Sequence, residues 1–253
     1  MAHKPPVPGG AGGGAFRGAH GDIMRTFVRA LDGVPSDRMP SRLCEAMLGL
    51  LPVKGLAVSM MGDGGYATTL CASDRTASRL VEIQFTLGEG PGVRAAEVFA
   101  PVLAPDLAGG ADVRRWPLFA PQAVEAGARA VYSVPLGNST VVVGTLDLYR
   151  DAPGMLNASD LRVAMLAADA ITLLLATFDH TPTPGEGVAA WLYEVENYRA
   201  EVYQAAGMIM VQLGLGADEA LALLRARAFR EGRTATAVAR DVISHSTDFS
   251  QND

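Results

Sequence analysis

Residues 128–150 read ARAVYSVPLGNSTVVVGTLDLYR. Its two halves, 128–137 and 140–150, are rich in Val and Tyr, which favour β-strands. The tripeptide Gly137-Asn138-Ser139 between them is typical of the tight turn that joins antiparallel strands. The stretch therefore predicts a β-hairpin.

Further strands and helices are predicted on either side of this hairpin. GLAVSMMG (55–62) and YATTLCAS (66–73) predict a second hairpin through Asp63-Gly64-Gly65, and PVLAPDL (101–107) predicts a short strand. Asp74 is expected to cap a helix, and GEGPG (88–92) is interpreted as a turn. Apolar residues at three-to-four spacing predict helices at 23–31, 39–51, 74–85, 116–126 and 158–178. Hairpins without regular βαβ units predict an α+β fold with helices packed on an antiparallel sheet.

Composition divides the chain into four segments. Residues 1–15 are rich in Pro and Gly and are predicted to be disordered, so the first domain is expected to span 16–180. A Pro/Gly-rich linker at 181–188 follows. Beyond it, residues 189–247 predict an all-α domain with helices at 189–213, 217–230 and 234–245. Because this second core is small, we expect dimer contacts along its first helix.

Several classes of protein are excluded or disfavoured by the sequence. The most apolar segment, 165–178, is interrupted by Asp169 and is shorter than a membrane span of about 20 residues, so we expect a cytoplasmic protein that contacts no membrane. Cys44 and Cys71 are expected to be reduced core residues. The four histidines form no acid-base or metal-ligand spacing, so we expect no enzyme, metal or cofactor. A weaker alternative is a redox enzyme that depends on Cys71.

The helical tail carries a recognisable motif. Residues 202–243 read VYQAAGMIMVQLGLGADEALALLRARAFREGRTATAVARDVI and resemble the ANTAR family of bacterial RNA-binding modules. The resemblance is carried by Gln204-Ala205, Gly207-Met208, Ala220, Leu224-Arg225, Ala228 and Val238-Ala239. It implies a transcription antiterminator that binds paired stem-loops in nascent RNA.

The first domain resembles the GAF domains that commonly precede ANTAR modules in actinobacterial proteins. The matching stretches are GLAVSM, LCASD, QFTLGEGPG, APDL, RRWPLFA, VPLG and VGTLDLY. Gly92 stands where many of these relatives have Cys, so thiol chemistry is not expected there. The resemblance implies a sensor of a small ligand, whose pocket we expect to be lined by Cys71, Phe85, Asp106, Trp116, Tyr132 and Thr145.

The RNA contacts are expected to come from a local cluster of arginines, because the chain as a whole has a net charge of −6. Arg240 belongs to this cluster, and the predicted RNA-binding residues are Arg199, Gln204, Ala205, Gly207, Arg225, Arg227, Arg230 and Arg233. Residues 189–253 hold six arginines against nine acidic residues, and Ala206 stands where the family often has Lys. The alternative is therefore a non-enzymatic sensor or adaptor whose ANTAR module no longer binds RNA.

Overall fold

A computed structural model describes residues 12–35, 38–61, 67–137, 141–178, 200–247 and 249. The elements in chain order are α1 (Gly12–Leu31), α2 (Met39–Leu48), β1 (Gly55–Met61), β2 (Ala67–Ala72), α3 (Arg75–Leu87), α4 (Pro91–Val98), β3 (Val102–Ala104), α5 (Gly110–Arg115), α6 (Phe119–Glu125), β4 (Ala130–Gly137), β5 (Val142–Arg150), α7 (Ala158–Phe178), α8 (Ala200–Leu213), α9 (Ala217–Arg230) and α10 (Ala235–Ile243). The α+β class and the predicted order of the five strands are confirmed, whereas helices α4 and α5 were not predicted.

The centre of the first domain is a five-stranded sheet with the order β2-β1-β5-β4-β3. All neighbouring strands are antiparallel, and both predicted hairpins pair as expected, β1 with β2 and β4 with β5. The turn residues 63–65 and 138–139, the linker 181–188 and most of the predicted disordered tail lie outside the described residues. Helix α1 begins at Gly12, four residues before the predicted start of the domain at residue 16.

Side chains alternate between the two faces of this sheet, because the strand period is two residues. On β5, Leu146 and Leu148 enter the larger core, which α1, α2 and α7 cover. Tyr149 enters a second core beneath α3 and α6, and Thr145 and Asp147 share its face. The sheet is therefore covered by helices on both sides.

Helix α3 is anchored at its N-terminus by Asp74, as predicted. The Asp74 carboxylate accepts a hydrogen bond from the Ala77 amide at 2.7 Å, which satisfies one of the free amides of the first turn. It also accepts a hydrogen bond of 2.9 Å from the Tyr149 hydroxyl on β5. Burial and the neighbouring Asp74 raise the pKa of Tyr149 to about 12. The cap thus fixes the start of α3 against the sheet.

Two predictions about the connecting segments are wrong. The predicted turn 88–92 contains the start of α4, which begins at Pro91 because proline fits the first turn of a helix. The predicted helix 116–126 begins only at Phe119, since Trp116 leaves the helical conformation after α5. The Glu89 carboxylate accepts hydrogen bonds from the Leu118 and Phe119 amides, both at 3.1 Å, and so caps α6.

The two cysteines are not free thiols, which corrects the sequence-based expectation. Cys44 on α2 and Cys71 on β2 form a disulfide with a Cα–Cα distance of 6.3 Å. The register of β1 and β2 shifts between Val58 and Ser59, which leaves Leu70 as an extra residue on β2. Such a bulge interrupts the strict alternation of side chains and lets Cys71 face α2. Both cysteines are buried in the larger core, as expected.

Helices α8, α9 and α10 bury their apolar faces against one another. Gly214 and Leu215 form the first turn between them, and Gly216 donates a hydrogen bond of 3.0 Å to Glu219 at the start of α9. This tail core also includes Phe85 from α3 of the first domain. No single helix in the described ranges is long and apolar enough to cross a membrane, although α8 and α9, bent by 107°, pass the length and composition test as a pair.

Candidate functional site

A cavity of about 390 Å³ lies between the sheet, helices α3 and α4, and the tail helix α9. Its walls are mostly apolar, formed by Met61, Val81, Phe85, Val93, Ala96 and Val142. Its polar lining comes mainly from Ser59, Gln84, Thr145 and Asp147 of the first domain and from Arg225 of the tail. An apolar recess with a few convergent polar groups is typical of a small-molecule site.

The floor of the cavity holds a buried carboxyl group, Asp147 on β5. Its oxygens accept hydrogen bonds from the hydroxyls of Ser133 and Thr145, the second at 3.2 Å, and Gln84 supplies a third. Burial raises the pKa of Asp147 to about 6, and the three hydrogen bonds only partly oppose this rise. The group can therefore change charge near neutral pH, when a ligand or a shift of α3 alters its surroundings.

Gln84 connects this floor to the start of α4. Its side-chain oxygen accepts a hydrogen bond of 2.6 Å from the Gly92 amide, and it also contacts Asp147. A Cβ atom at Gly92 would lie 2.8 Å from an Asp147 oxygen and 3.0 Å from the Gln84 oxygen. Glycine is thus required here for the helix to approach the polar floor.

The Ser59 hydroxyl on β1 is the second unusual group of the cavity. Ser59 is 1% exposed, and its Oγ has no hydrogen-bond partner within the part of the chain that the structure describes. A buried hydroxyl without a partner costs free energy, on the order of 1–3 kcal/mol. Because Ser59 lines the cavity, a ligand with a polar group could remove this cost.

Arg225 places the tail directly against the cavity. The guanidinium carbon of Arg225 lies 4.8 Å from the centre of the Phe85 ring, a cation–π contact, and Arg225 lines the same recess as Gln84 and Asp147. Phe85 is 4% exposed and packs into the tail core. The cavity is therefore built by two domains, and Phe85 belongs to both the cavity and the tail core.

Two further hydrogen bonds fix α10 on α3. The Ala235 amide, at the first turn of α10, donates to the Thr86 hydroxyl at 3.1 Å. The Thr236 hydroxyl donates to the Glu82 carboxylate at 2.9 Å. Residues 82–86 of α3 thus contact the cavity and the tail within little more than one helical turn.

Only two of the six predicted pocket residues, Phe85 and Thr145, line the cavity. Tyr132 is fully buried on the opposite face of the sheet, and Cys71 faces α2 there in the disulfide. Trp116 is buried in the core between α5 and α6, while Asp106 lies outside the cavity, within 3.6 Å of Arg129. The prediction missed Ser59, Gln84 and Asp147, although Asp147 follows Thr145 at the strand period of two and Gln84 lies on the apolar face of α3.

The predicted RNA-binding residues have different surroundings. Arg225 lies in the domain contact, and Ala205 is buried in the tail core, whereas Arg199 lies outside the described residues. Gln204 is exposed and Gly207 is half-buried on α8. The structure brings Arg227, Arg230 and Arg233 together at the end of α9 and the turn that follows.

Ion pairs already engage most of these arginines. Arg227 contacts Glu231 at 2.7 Å, and Arg233 contacts both Glu231 at 3.1 Å and Asp241 at 2.7 Å. The hydrogen bond from Arg227, followed by that from Arg233, lowers the pKa of Glu231 despite partial burial. Arg240 pairs with Glu201 at 2.7 Å. Arg230 is exposed, and no ion pair to it is found among the described residues.

Within the described ranges, no group of three or more His, Cys, Asp or Glu side chains is arranged to hold a metal ion.

Solved structures that resemble the chain include two GAF domains. That of the Acinetobacter phosphoenolpyruvate-protein phosphotransferase is 10% identical with a TM-score of 0.49, covering 63% of this chain and 94% of that one. Its counterpart from Coxiella burnetii is 15% identical with a TM-score of 0.45, covering 64% and 97%. The reduced form of fRMsr of Staphylococcus aureus is 10% identical with a TM-score of 0.46, covering 69% and 99%.

The match of the tail to a protein family is more specific than these structural likenesses. No curated protein matches the chain. The family model of the ANTAR domain matches residues 194–243, which include α8, α9 and α10.

Proposed function

We propose that the chain is a signal-responsive, RNA-binding antitermination regulator, in which a GAF-type sensor domain binds a small ligand and the ANTAR domain binds RNA stem-loops. The observation that carries this proposal is the match of residues 194–243 to the ANTAR domain. It is a regulator without a catalytic step, acts in the cytoplasm, and forms a homodimer through the tail. Its partners are a small molecule and a nascent transcript.

The cavity supports the sensing half of this proposal. A ligand in it contacts Gln84 and Phe85 on α3 and Arg225 on α9 at the same time. A ligand that prefers one arrangement of these helices shifts the population toward that arrangement. By thermodynamic linkage, RNA binding by the tail then changes the ligand affinity by the same factor.

The surface at the end of α9 supports the RNA-binding half. Arg230 is exposed, lies in the last turn of the helix, and is adjacent to Arg227 and Arg233. Phosphate oxygens can bind the exposed Arg230 and can replace the carboxylates of Glu231 and Asp241 as partners of the exposed Arg233. Arg225 acts in a different way, because it holds the tail on Phe85.

Sequencing of the RNA retained by the full-length chain tests the proposal. Immobilised protein is incubated with total RNA from the source cells, and adjacent paired stem-loops are expected to be enriched. Arg230→Gln should reduce the enrichment, whereas Arg114→Gln, which removes an exposed charge from α5, should not. Enrichment equal to that of a protein-free resin would contradict the proposal.

The rival function is a protein-interaction adaptor that has lost RNA binding. The ion pairs of Arg227, Arg233 and Arg240 with acidic residues favour it, because they neutralise most of the arginine cluster. The same experiment separates the two functions, since an adaptor retains no stem-loop RNA.

A further inference from the structure

An open cleft of about 490 Å³ lies on the other side of α3, between the first domain and the tail. Arg75 and Arg79 line it from α3, and Arg240 lines it from α10. Hydroxyl groups complete the walls, with Thr76 and Ser78 on α3 and Thr234 and Thr236 at the start of α10. This recess is separate from the ligand cavity, and none of the sequence-based predictions included its α3 wall.

The charge in this cleft favours an anion. Three arginines line it against a single glutamate, Glu82, whose carboxylate already accepts the Thr236 hydrogen bond. Arg75 and Arg79 are exposed, and no ion pair to either is found among the described residues. Arg240 pairs with Glu201, but its side chain is 66% exposed, and an exposed pair of this kind is weak.

The spacing of the arginines fits an extended anion better than a single small one. Arg75 and Arg79 are four residues apart on α3, so their side chains lie one above the other on one helix face. Arg240 belongs to the segment that matches the ANTAR domain. The cleft has two guanidinium groups along its α3 wall and a third on its α10 wall. This arrangement is suited to successive phosphates of a nucleic acid backbone.

We propose that this cleft binds the phosphate backbone of the RNA, so that Arg75 and Arg79 of the sensor domain extend the RNA-binding surface of the tail. This inference rests on the proposed function. It adds the sensor domain to the surface of the protein that contacts RNA. RNA that bridges α3 and α10 stabilises the docked arrangement of the two domains. A cavity ligand that also favours the docked arrangement therefore raises the RNA affinity.

The test measures binding of a fluorescein-labelled synthetic RNA with two adjacent stem-loops to the full-length chain. Fluorescence anisotropy is recorded at several salt concentrations for wild type, Arg230→Gln and the double variant Arg75→Gln/Arg79→Gln. We expect the double variant to bind at least about 10-fold more weakly, with a slope of log affinity against log salt that is shallower by about 1.5–2.

A matched control has the same change of net charge outside the cleft. Arg29 on α1 and Arg114 on α5 are exposed, have no ion pair among the described residues, and line neither recess. The double variant Arg29→Gln/Arg114→Gln should bind RNA within about twofold of wild type, since distant charges are screened.

The outcomes separate this inference from the proposed function. If Arg230→Gln weakens binding and Arg75→Gln/Arg79→Gln behaves like its control, the cleft does not bind RNA and the inference alone is overturned. An acidic protein segment would then be the alternative occupant of the cleft. If wild type binds no stem-loop RNA, both the proposed function and the inference are overturned.

Discussion

The two recesses on either side of α3 are opposite in character. The ligand cavity has apolar walls, and its floor holds a carboxyl group, Asp147, that is 6% exposed. The cleft on the other side is open and is lined by Arg75, Arg79 and Arg240. In each recess one wall belongs to α3 and another to the tail. Under the proposed function, α3 faces a small ligand on one side and RNA phosphates on the other.

The helical repeat explains how one helix serves both recesses. Arg75, Arg79 and Glu82 are spaced by four and three residues and share one face of α3. Val81 and Gln84 are spaced by three residues and share another face, next to Phe85. Both recesses therefore have a wall that belongs to the same helix.

The largest effect is expected from Phe85→Ala, which removes the contact between the cavity and the tail core. Truncation of a buried Phe costs about 3–5 kcal/mol, measured as the free energy of unfolding in urea. Hydrogen exchange of the Ala235 amide should become faster, since that amide donates to Thr86 in the docked arrangement. Phe85→Leu serves as the milder variant, and an unchanged Ala235 exchange rate in both would show that Phe85 does not hold the tail.

A smaller effect is expected from Asp147, whose protonation makes the free energy of unfolding depend on pH. Its pKa is about 6 in the folded protein against an ordinary value of 3.8, so the folded state binds more protons than the unfolded state between these pH values. The free energy of unfolding should therefore fall as pH rises from about 4 to about 6, by up to about 3 kcal/mol, and then level off. In Asp147→Asn this fall disappears. Urea unfolding at a series of pH values checks it, and parallel curves for the two proteins would contradict it.

Gly92→Ala probes the close approach of α4 to the cavity floor. The new methyl group would lie within 3.0 Å of Asp147 and Gln84, and overpacking of this kind costs about 1–3 kcal/mol. The control is Gly207→Ala on α8, where a Cβ meets nothing within 4 Å. It should stabilise the protein by about 0.5–1 kcal/mol through helix propensity. Thermal unfolding measures both changes, and a stabilised Gly92→Ala would refute the steric argument.

The smallest effects are expected at the end of α9. Arg230→Gln should weaken RNA binding by about 1 kcal/mol, roughly fivefold, and leave stability unchanged. Arg227→Gln should lose about 0.3–0.5 kcal/mol of stability, because Arg227 pairs with Glu231 one turn later. Anisotropy titrations and urea unfolding of both variants distinguish these roles. Equal RNA affinities for wild type and Arg230→Gln would remove Arg230 from the RNA surface.

Local sequence signals were sufficient for much of the fold. The Asp74 cap and the bounds of α7 at 158–178 were predicted correctly, because both depend on residues close in sequence. The Cys44–Cys71 disulfide was missed because it depends on a bulge at Leu70 that the sequence pattern does not reveal. The tail elements α9 and α10 were placed within one or two residues of their observed bounds.

The candidate site was harder to predict. Thr145 lines the cavity, and extension of the same alternation by one step reaches Asp147. Tyr132 does not line the cavity, because it is on the opposite face of the sheet. The role of Arg225 depends on how the tail docks on Phe85, a contact between residues 140 positions apart in the chain. No local pattern contains that information.

We propose that α3 connects the cavity to an RNA-binding tail. Hydrogen exchange of the full-length chain, measured with and without the synthetic RNA of two adjacent stem-loops, tests it most directly. We expect slower exchange in α9 and α10, in α3, and at the Gly92 amide, which donates to Gln84 at the cavity floor. Protection confined to the tail helices, with unchanged exchange in α3 and at Gly92, would show that α3 does not connect the two.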